Sequence, residues 1–155
     1  LELSKEKTRI LPFGRNCGTR ETFDFLGFTH FNSKTRKGYY SVGHKISRKK
    51  KKQFKSNLKK WVKKNRTTQF DEFMKTLNKK LTGSFNYYSL SGMIKEVRNL
   101  WHHSLLLTFK WMNRRSQRRS FKLERFCEIW NDRIIHPYIH VDIWSGDKVI
   151  YNKNV

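Results

Sequence analysis

One segment of the sequence, from Lys45 to Arg66, most restricts how this chain can fold, because it is strongly basic and still carries an apolar stripe. It holds twelve lysines and arginines and no acidic residue. Its large apolar side chains recur at the spacing of one helix face: Phe54, Leu58, Trp61 and Val62. That spacing predicts an amphipathic helix with one buried face and cations around the rest.

Many cations of this predicted helix step by three or four residues and therefore share a face. They are Arg48, Lys49, Lys52, Lys55, Lys59 and Lys63. Each pair of like charges at this spacing destabilises a helix by roughly a few tenths of a kcal/mol, and no acidic residue lies among them to offset the repulsion. A solvated face is the alternative, but the uncompensated charge favours contact with nucleic-acid phosphates. Lysine is a flexible point charge, so we expect contacts to the backbone rather than to bases.

The composition of the whole chain supports a polyanionic partner. Its 155 residues include 35 Lys and Arg against 12 Asp and Glu, a formal net charge of +23. Such a chain repels itself, while an aromatic share of 15% argues against a disordered basic tail. Cys17 and Cys127 indicate reduced thiols rather than a disulfide framework. No apolar run is long enough to span a membrane, and we expect a cytoplasmic, bacterial-type intracellular protein with no membrane partner.

Three regions differ in pattern. In residues 1–46, TFDFLGFTHF and YYSVGHKI flank the turn-forming NSKTRKG, which predicts a β-hairpin with a longer loop. Gly27 within the first strand indicates either a bulge or a close approach by another backbone. Residues 47–115 carry three apolar stripes at helical spacing and predict a three-helix bundle. Residues 116–155 are predicted to hold a short helix around 121–130 and an extended tail. The predicted fold class is therefore α+β.

Capping residues give the expected limits of the three helices. Ser47, Thr68 and Ser91 are of the residue types that favour N-caps, and each precedes an apolar stripe. Gly83 follows most of the second stripe, and glycine is the common residue just after a helix. We therefore expect the second helix to end at Gly83.

The stretch NRRSQRRSF, at 113–121, directly follows the third predicted helix. Its cations are Arg114, Arg115, Arg118 and Arg119. Guanidinium groups bind phosphate bidentately and stack on bases, which suits folded RNA. Interaction with the dipole of the third helix is the alternative, but two cations would suffice for it. We therefore predict that residues 113–120, the arginine turn, bind RNA.

The residue pattern does not indicate catalysis. The acidic residues are scattered, whereas a nuclease or polymerase needs clustered carboxylates to hold divalent metals. Asp71 and Glu72 suit the first turn of a helix, where acids are favoured. Adjacent His102 and His103 diverge on a helix, and no Cys or His follows at ligand spacing. We expect no metal site and no cofactor in this segment, which we interpret as a binding module.

Three strings, in order, resemble one family over roughly residues 1–126. LSKEKTRI followed by FDFLGFTHF resembles the end of the palm in reverse transcriptases encoded by group II introns, in which LGF is the primer grip. LTGSFNYY, between a basic helix and VRNLWHH, resembles the maturase-specific (X, or thumb) domain. The usual string there is G-W-x-N-Y-Y, and Ser84 replaces its Trp. NRRSQRRSF resembles the turn after the thumb.

The resemblance implies a division of the chain into three parts. Residues 1–46 would be the end of the palm with the primer-grip hairpin, and 47–115 the thumb or X domain. Residues 116–155 would be the basic turn, a short helix and a tail, which lacks the Cys pairs of the family's endonuclease. Leu26, Gly27 and Phe28 would lie against the primer strand. Lys7 would lie near the phosphates of the incoming nucleotide, as an acid for the leaving pyrophosphate; a surface lysine in a turn is the alternative for this residue.

The resemblance also implies a parent protein that is an RNA-directed DNA polymerase and intron maturase. Its catalytic aspartates and Mg²⁺ would belong to a part before residue 1. The expected partners are structured intron RNA, an RNA–DNA or RNA duplex, and the upstream fingers and palm. A stand-alone RNA-binding or splicing-factor module, derived from a maturase without polymerase activity, is the alternative.

Overall fold

The computed structural model describes residues 10–18, 20–115 and 120–139. Within these ranges the chain forms a three-stranded antiparallel sheet followed by four helices, which confirms the predicted α+β class. Contacts divide the chain into two compact units, Leu1–Ser47 and Arg48–Val155.

The first unit contains strands β1 (Thr22–Phe25), β2 (Phe28–Lys34) and β3 (Tyr40–Ile46), in that order across the sheet. The predicted hairpin of β2 and β3 is confirmed. The prediction of one bulged strand over TFDFLGFTHF is wrong, because the chain reverses at Leu26 and Gly27 and Phe25 pairs with Phe28. Leu26 has φ 48° and Gly27 has φ 85°, the positive angles of a two-residue type I′ turn.

One row of rings crosses the three strands. Phe23 stacks on His30 with centroids 4.8 Å apart, and the Nδ1 atoms of His30 and His44 are 2.9 Å apart. Burial, followed by the electrostatic effect of the neighbouring His30, lowers the pKa of His44 from its ordinary value of 6.5. On the opposite face the Phe31 ring covers Gly43, where a Cβ would meet the ring atoms.

The second unit contains the helices. Their bounds are α1 Arg48–Asn65, α2 Phe70–Tyr88, α3 Ile94–Met112 and α4 Leu123–Arg133. The three helices predicted within 47–115 are confirmed, and the short helix predicted around 121–130 is α4. The predicted end at Gly83 is wrong, because Phe85 continues the buried stripe of α2 and the helix runs on to Tyr88. Gln69 and Met93, not Thr68 and Ser91, are the N-caps of α2 and α3.

The core of this unit lies where α2, α3 and α4 meet. Phe126 and Trp130 of α4 are fully buried beside the apolar stripes of α2 and α3. Beyond α4, Ile135 is held by two helices. Its N–H donates to Asn78 Oδ1 at 3.0 Å, and its carbonyl accepts from Trp101 Nε1 at 3.1 Å. Residues 134–139 have no regular secondary structure, as predicted for the tail, and 140–155 lie outside the described residues.

Candidate nucleic-acid interface

Helix α1 presents the six cations of the segment Lys45–Arg66 that the sequence assigns to nucleic-acid contact. These exposed residues, the lysine face, are Arg48, Lys49, Lys52, Lys55, Lys59 and Lys63. Leu58 and Val62 are buried on another side of the helix, as the apolar spacing of α1 requires. No acidic residue occurs in α1, so the charge of this face is not neutralised within its own helix.

A groove between α1 and α3, the α1/α3 groove, has a volume of about 490 Å³. Lys55 and Lys59 line it from α1, while Lys110 and Trp111 line it from α3. Arg114 closes one end of it. Three chain segments therefore bring their cations to one concave surface, where their fields add.

Three cations lie close to the ring of Trp111. The charged groups of Lys63, Arg66 and Arg114 lie 5.8, 5.5 and 5.5 Å from the ring centroid. Arg66 also donates to the carbonyl of Arg114 at 3.3 Å. A cation–π contact at an exposed site contributes only about 0.5–1 kcal/mol, while three like charges at one ring repel each other. The arrangement is therefore suited to an anion that relieves this repulsion.

The side chain of Asn113 links the two ends of the arginine turn by hydrogen bonds. Asn113 Nδ2 donates to the carbonyl of Phe121 at 3.1 Å, and Asn113 Oδ1 accepts from the N–H of Phe121 at 2.8 Å. The Phe121 ring packs on Phe70 and Phe126, with centroids 5.2 and 5.6 Å away. Both ends of the turn are thereby fixed to the helices. Arg114 is exposed and Arg115 half-buried, whereas Arg118 and Arg119 lie outside the described residues.

Residues 51–127, from the first turn of α1 into α4, match the family model of the group II intron maturase-specific domain. This region is a group II intron maturase-specific domain. The match confirms the resemblance to the maturase-specific domain and gives the chain a maturase-related role in group II intron splicing. No curated protein and no solved structure gives a significant match to the chain.

The ion pairs described in the maturase domain and its flanks include no residue of the lysine face. In the described ranges they join Lys51 to Glu96, Arg125 to Glu128 and Arg133 to Asp71. None of these cations belongs to the lysine face. Glu96 of α3 pairs with Lys51 of α1, and no acidic residue is among the described residues that line the α1/α3 groove.

The α1/α3 groove also contains a titratable group that the sequence does not single out for binding. His103 lines the groove with the cations. Burial, followed by the positive charge of Lys55, lowers the pKa of His103 from its ordinary value of 6.5. A neutral imidazole in this position can take up a proton when a phosphate arrives, because an opposite charge favours its charged form.

Lys110, Trp111 and His103 are the groove residues that sequence reasoning missed. His103, Leu107, Lys110, Trp111 and Arg114 repeat at helical spacing along α3 and its end. The apolar stripe of α3 lies on another side of that helix, so this second periodicity was available as a signal.

The residues assigned to the primer grip belong to the first unit and lie at the tip of the β1–β2 hairpin. Leu26 is 68% exposed and the preceding Phe25 is 60% exposed. Leu26 holds a positive φ that a non-glycine residue adopts rarely. The turn therefore displays apolar side chains on a narrow tip beside Gly27 and Phe28. Lys7 lies outside the described residues.

Within the described residues, no group of three or more His, Cys, Asp or Glu side chains could hold a metal ion. No described helix is long and apolar enough to cross a membrane. Cys17 and Cys127 are free thiols.

Proposed function

We propose that the maturase domain binds the sugar–phosphate backbone of group II intron RNA through the lysine face and the α1/α3 groove. The observation that carries the proposal is the convergence of cations on one groove. Lys55 and Lys59 meet Lys110 there, and three further cations gather at Trp111. Backbone phosphates repeat along RNA, so a line of lysines on one helix can follow them without reading the sequence.

The arginine turn adds a different kind of contact to this surface. Asn113 and Phe121 fix its ends, so its guanidinium groups need less ordering when RNA binds. Arginine grips phosphate in a planar, bidentate manner. On this proposal the lysine face provides affinity for any RNA backbone, and the arginine turn favours the folded intron RNA.

The same proposal extends to reverse transcription. The region would act as the thumb of a reverse transcriptase, and Leu26, Gly27 and Phe28 would contact the primer strand of a primer–template duplex. The exposure of the hairpin tip supports this role. Polymerisation and its Mg²⁺ would then be supplied by fingers and palm that carry the catalytic aspartates, with Lys7 near the incoming nucleotide.

The test compares two pairs of lysines on α1. Lys55→Ala/Lys59→Ala removes two groove cations, while Lys60→Ala/Lys64→Ala removes two equally spaced, exposed lysines from another side of the same helix. Each pair changes the net charge and the helix propensity equally. We measure the affinity of the full chain for a group II intron RNA and for a random RNA duplex at several salt concentrations.

Each phosphate contact contributes about 0.9 to the slope of log K against log salt concentration, with duplex DNA as the guide. The groove pair should therefore lower the slope by about two units on both RNAs, and the control pair should change it far less. Equal changes for the two pairs would refute a groove that follows phosphates. A wild-type slope near zero would refute backbone binding altogether.

A further inference from the structure

Helix α1 borders a second groove, on its α2 side, whose chemistry differs from that of the α1/α3 groove. This α1/α2 groove has a volume of about 400 Å³, within the ~300–1,000 Å³ of small-ligand sites. Its lining includes Gln53, Asn57, Trp61, Lys80, Ser84 and Tyr88. Amides and aromatic rings dominate this lining, whereas cations dominate the other groove.

Trp61 supplies a fixed aromatic surface in the α1/α2 groove. Its ring stacks on Phe73, with centroids 5.1 Å apart and an interplanar angle of 29°. Phe73 is buried in the core, so the stack fixes the orientation of the indole while leaving it half-exposed. Lys80 Nζ lies over the same ring, 5.5 Å from its centroid. A base that stacks on the indole would take the place of this flexible ammonium group, which could then pair with the phosphate of the same nucleotide.

The amides supply hydrogen-bonding groups beside that ring. Gln53 and Asn57 are one helical turn apart on α1, and both are exposed. Each amide offers two N–H donors and a carbonyl acceptor, the combination that pairs with the edges of bases. Tyr88, half-buried at the end of α2, adds a second ring to the lining.

We propose that the α1/α2 groove binds one unpaired nucleotide of the RNA, with its base against Trp61 and its edge on Gln53 and Asn57. The nucleotide must be unpaired because bases within a duplex are stacked on each other, whereas those of bulges and loops are free to stack on aromatic side chains. This inference rests on the proposed function, and it adds a reading site to a backbone-binding surface. RNA that combines a helix with a bulged nucleotide is then the preferred partner.

The experiment uses the full chain and two RNA stem-loops that are identical except for one bulged 2-aminopurine. The fluorescence of this base falls when it stacks on an aromatic ring. The wild-type chain should bind the bulged RNA about tenfold more tightly, the effect of one stacked base, and should quench its fluorescence.

Three variants locate the site. Gln53→Ala/Asn57→Ala removes the amides from an exposed helix surface, so folding should be retained. Ser84→Trp places a large ring in the groove and blocks it without removing a cation. Asn99→Ala is the control, because Asn99 is an exposed amide on α3. The first two variants should lose most of the tenfold preference, whereas the control should keep it.

The outcomes separate this inference from the proposed function. If the wild type binds both RNAs equally and Lys55→Ala/Lys59→Ala weakens both, backbone binding stands and the unpaired-nucleotide site is refuted. The site is also refuted if the preference and the quenching survive in both groove variants. If neither RNA binds at all, the proposed function fails and the inference fails with it.

Discussion

Replacement of Asn113 by alanine tests whether the arginine turn is a positioned binding element. Its amide makes two hydrogen bonds to the backbone of Phe121, at 3.1 and 2.8 Å. Each such bond contributes about 0.5–1.5 kcal/mol to stability. Asn113→Ala should therefore lower the free energy of unfolding by about 1–3 kcal/mol, with the packing of Phe121 retaining part of the turn's anchorage.

The assay is urea denaturation followed by tryptophan fluorescence. All five tryptophans of the chain lie in the unit Arg48–Val155, so the signal reports the unfolding of the helical unit alone. Asn99→Ala is the matched control, because it removes an exposed amide from α3. Alanine favours helix formation over asparagine, and the control should be neutral or slightly stabilising.

The effect on RNA binding follows from the same geometry. Without Asn113 the arginines keep their charge but lose their fixed base, so ordering the turn costs part of the binding free energy. Affinity for intron RNA should fall about fivefold, equivalent to ~1 kcal/mol. The salt slope should not change, because no phosphate contact is removed. A loss of stability with no loss of affinity would show that the turn does not bind RNA, and unchanged stability would refute the two hydrogen bonds.

Three other predictions follow. Substituting Lys for Arg114, Arg115, Arg118 and Arg119 together should leave stability nearly unchanged but weaken binding to intron RNA about tenfold, since lysine cannot reproduce the bidentate grip. A paired titration at one salt concentration checks it, and an equal loss on random duplex would contradict it. Gly43→Ala should destabilise the sheet by about 1–3 kcal/mol, because the new Cβ meets the Phe31 ring; urea denaturation followed by circular dichroism, with Ser41→Ala as control, measures it. The lowered pKa values of His44 and His103 mean that the unfolded chain binds protons more tightly. Their contribution to stability should be complete above about pH 6.5 and be lost as the pH falls through the folded-state pKa values. In His103→Gln this loss should be smaller, and an identical pH profile would contradict the assignment of His103.

The helices could be predicted because their signals are local. The stripe of α2 through Leu77 and Leu81 identifies its buried face from the sequence alone. The end of α2 could not be predicted in this way. Glycine at position 83 costs a helix about 1 kcal/mol, but burial of Phe85 contributes about 1.5–3 kcal/mol. Tertiary packing therefore outweighs the local stop signal.

The reversal of the chain at Leu26 and Gly27 could not be predicted from the sequence, for a different reason. Two-residue hairpin turns usually carry Asn, Asp or Gly at both central positions, and a leucine with positive φ gives no such signal. The large residues on either side of the turn also continue a strand pattern. Only Gly27 marks the site, and an isolated glycine within a strand pattern indicates a bulge equally well.

The lysine face was predictable, whereas the grooves on the two sides of α1 were not. The cations of α1 occur within one segment, so helical spacing alone places them on a surface. Trp111 and Lys110 reach the α1/α3 groove from α3 and lie more than fifty positions after Lys59 in the sequence. Their proximity depends on how α1 packs against α3, which no local pattern specifies.

The energetics of α1 indicate that the charge of its lysine face does not stabilise the fold. Leu58 and Val62 are buried, and each contributes about 1.5–3 kcal/mol of hydrophobic stabilisation. Like-charge pairs along the lysine face oppose this by roughly a few tenths of a kcal/mol each. Lys51 of α1 pairs with Glu96 of α3, but the residues of the lysine face make none of the described ion pairs that would stabilise the bundle. Removing them should leave the bundle intact, so a loss of RNA affinity in the lysine variants can be attributed to the interface itself.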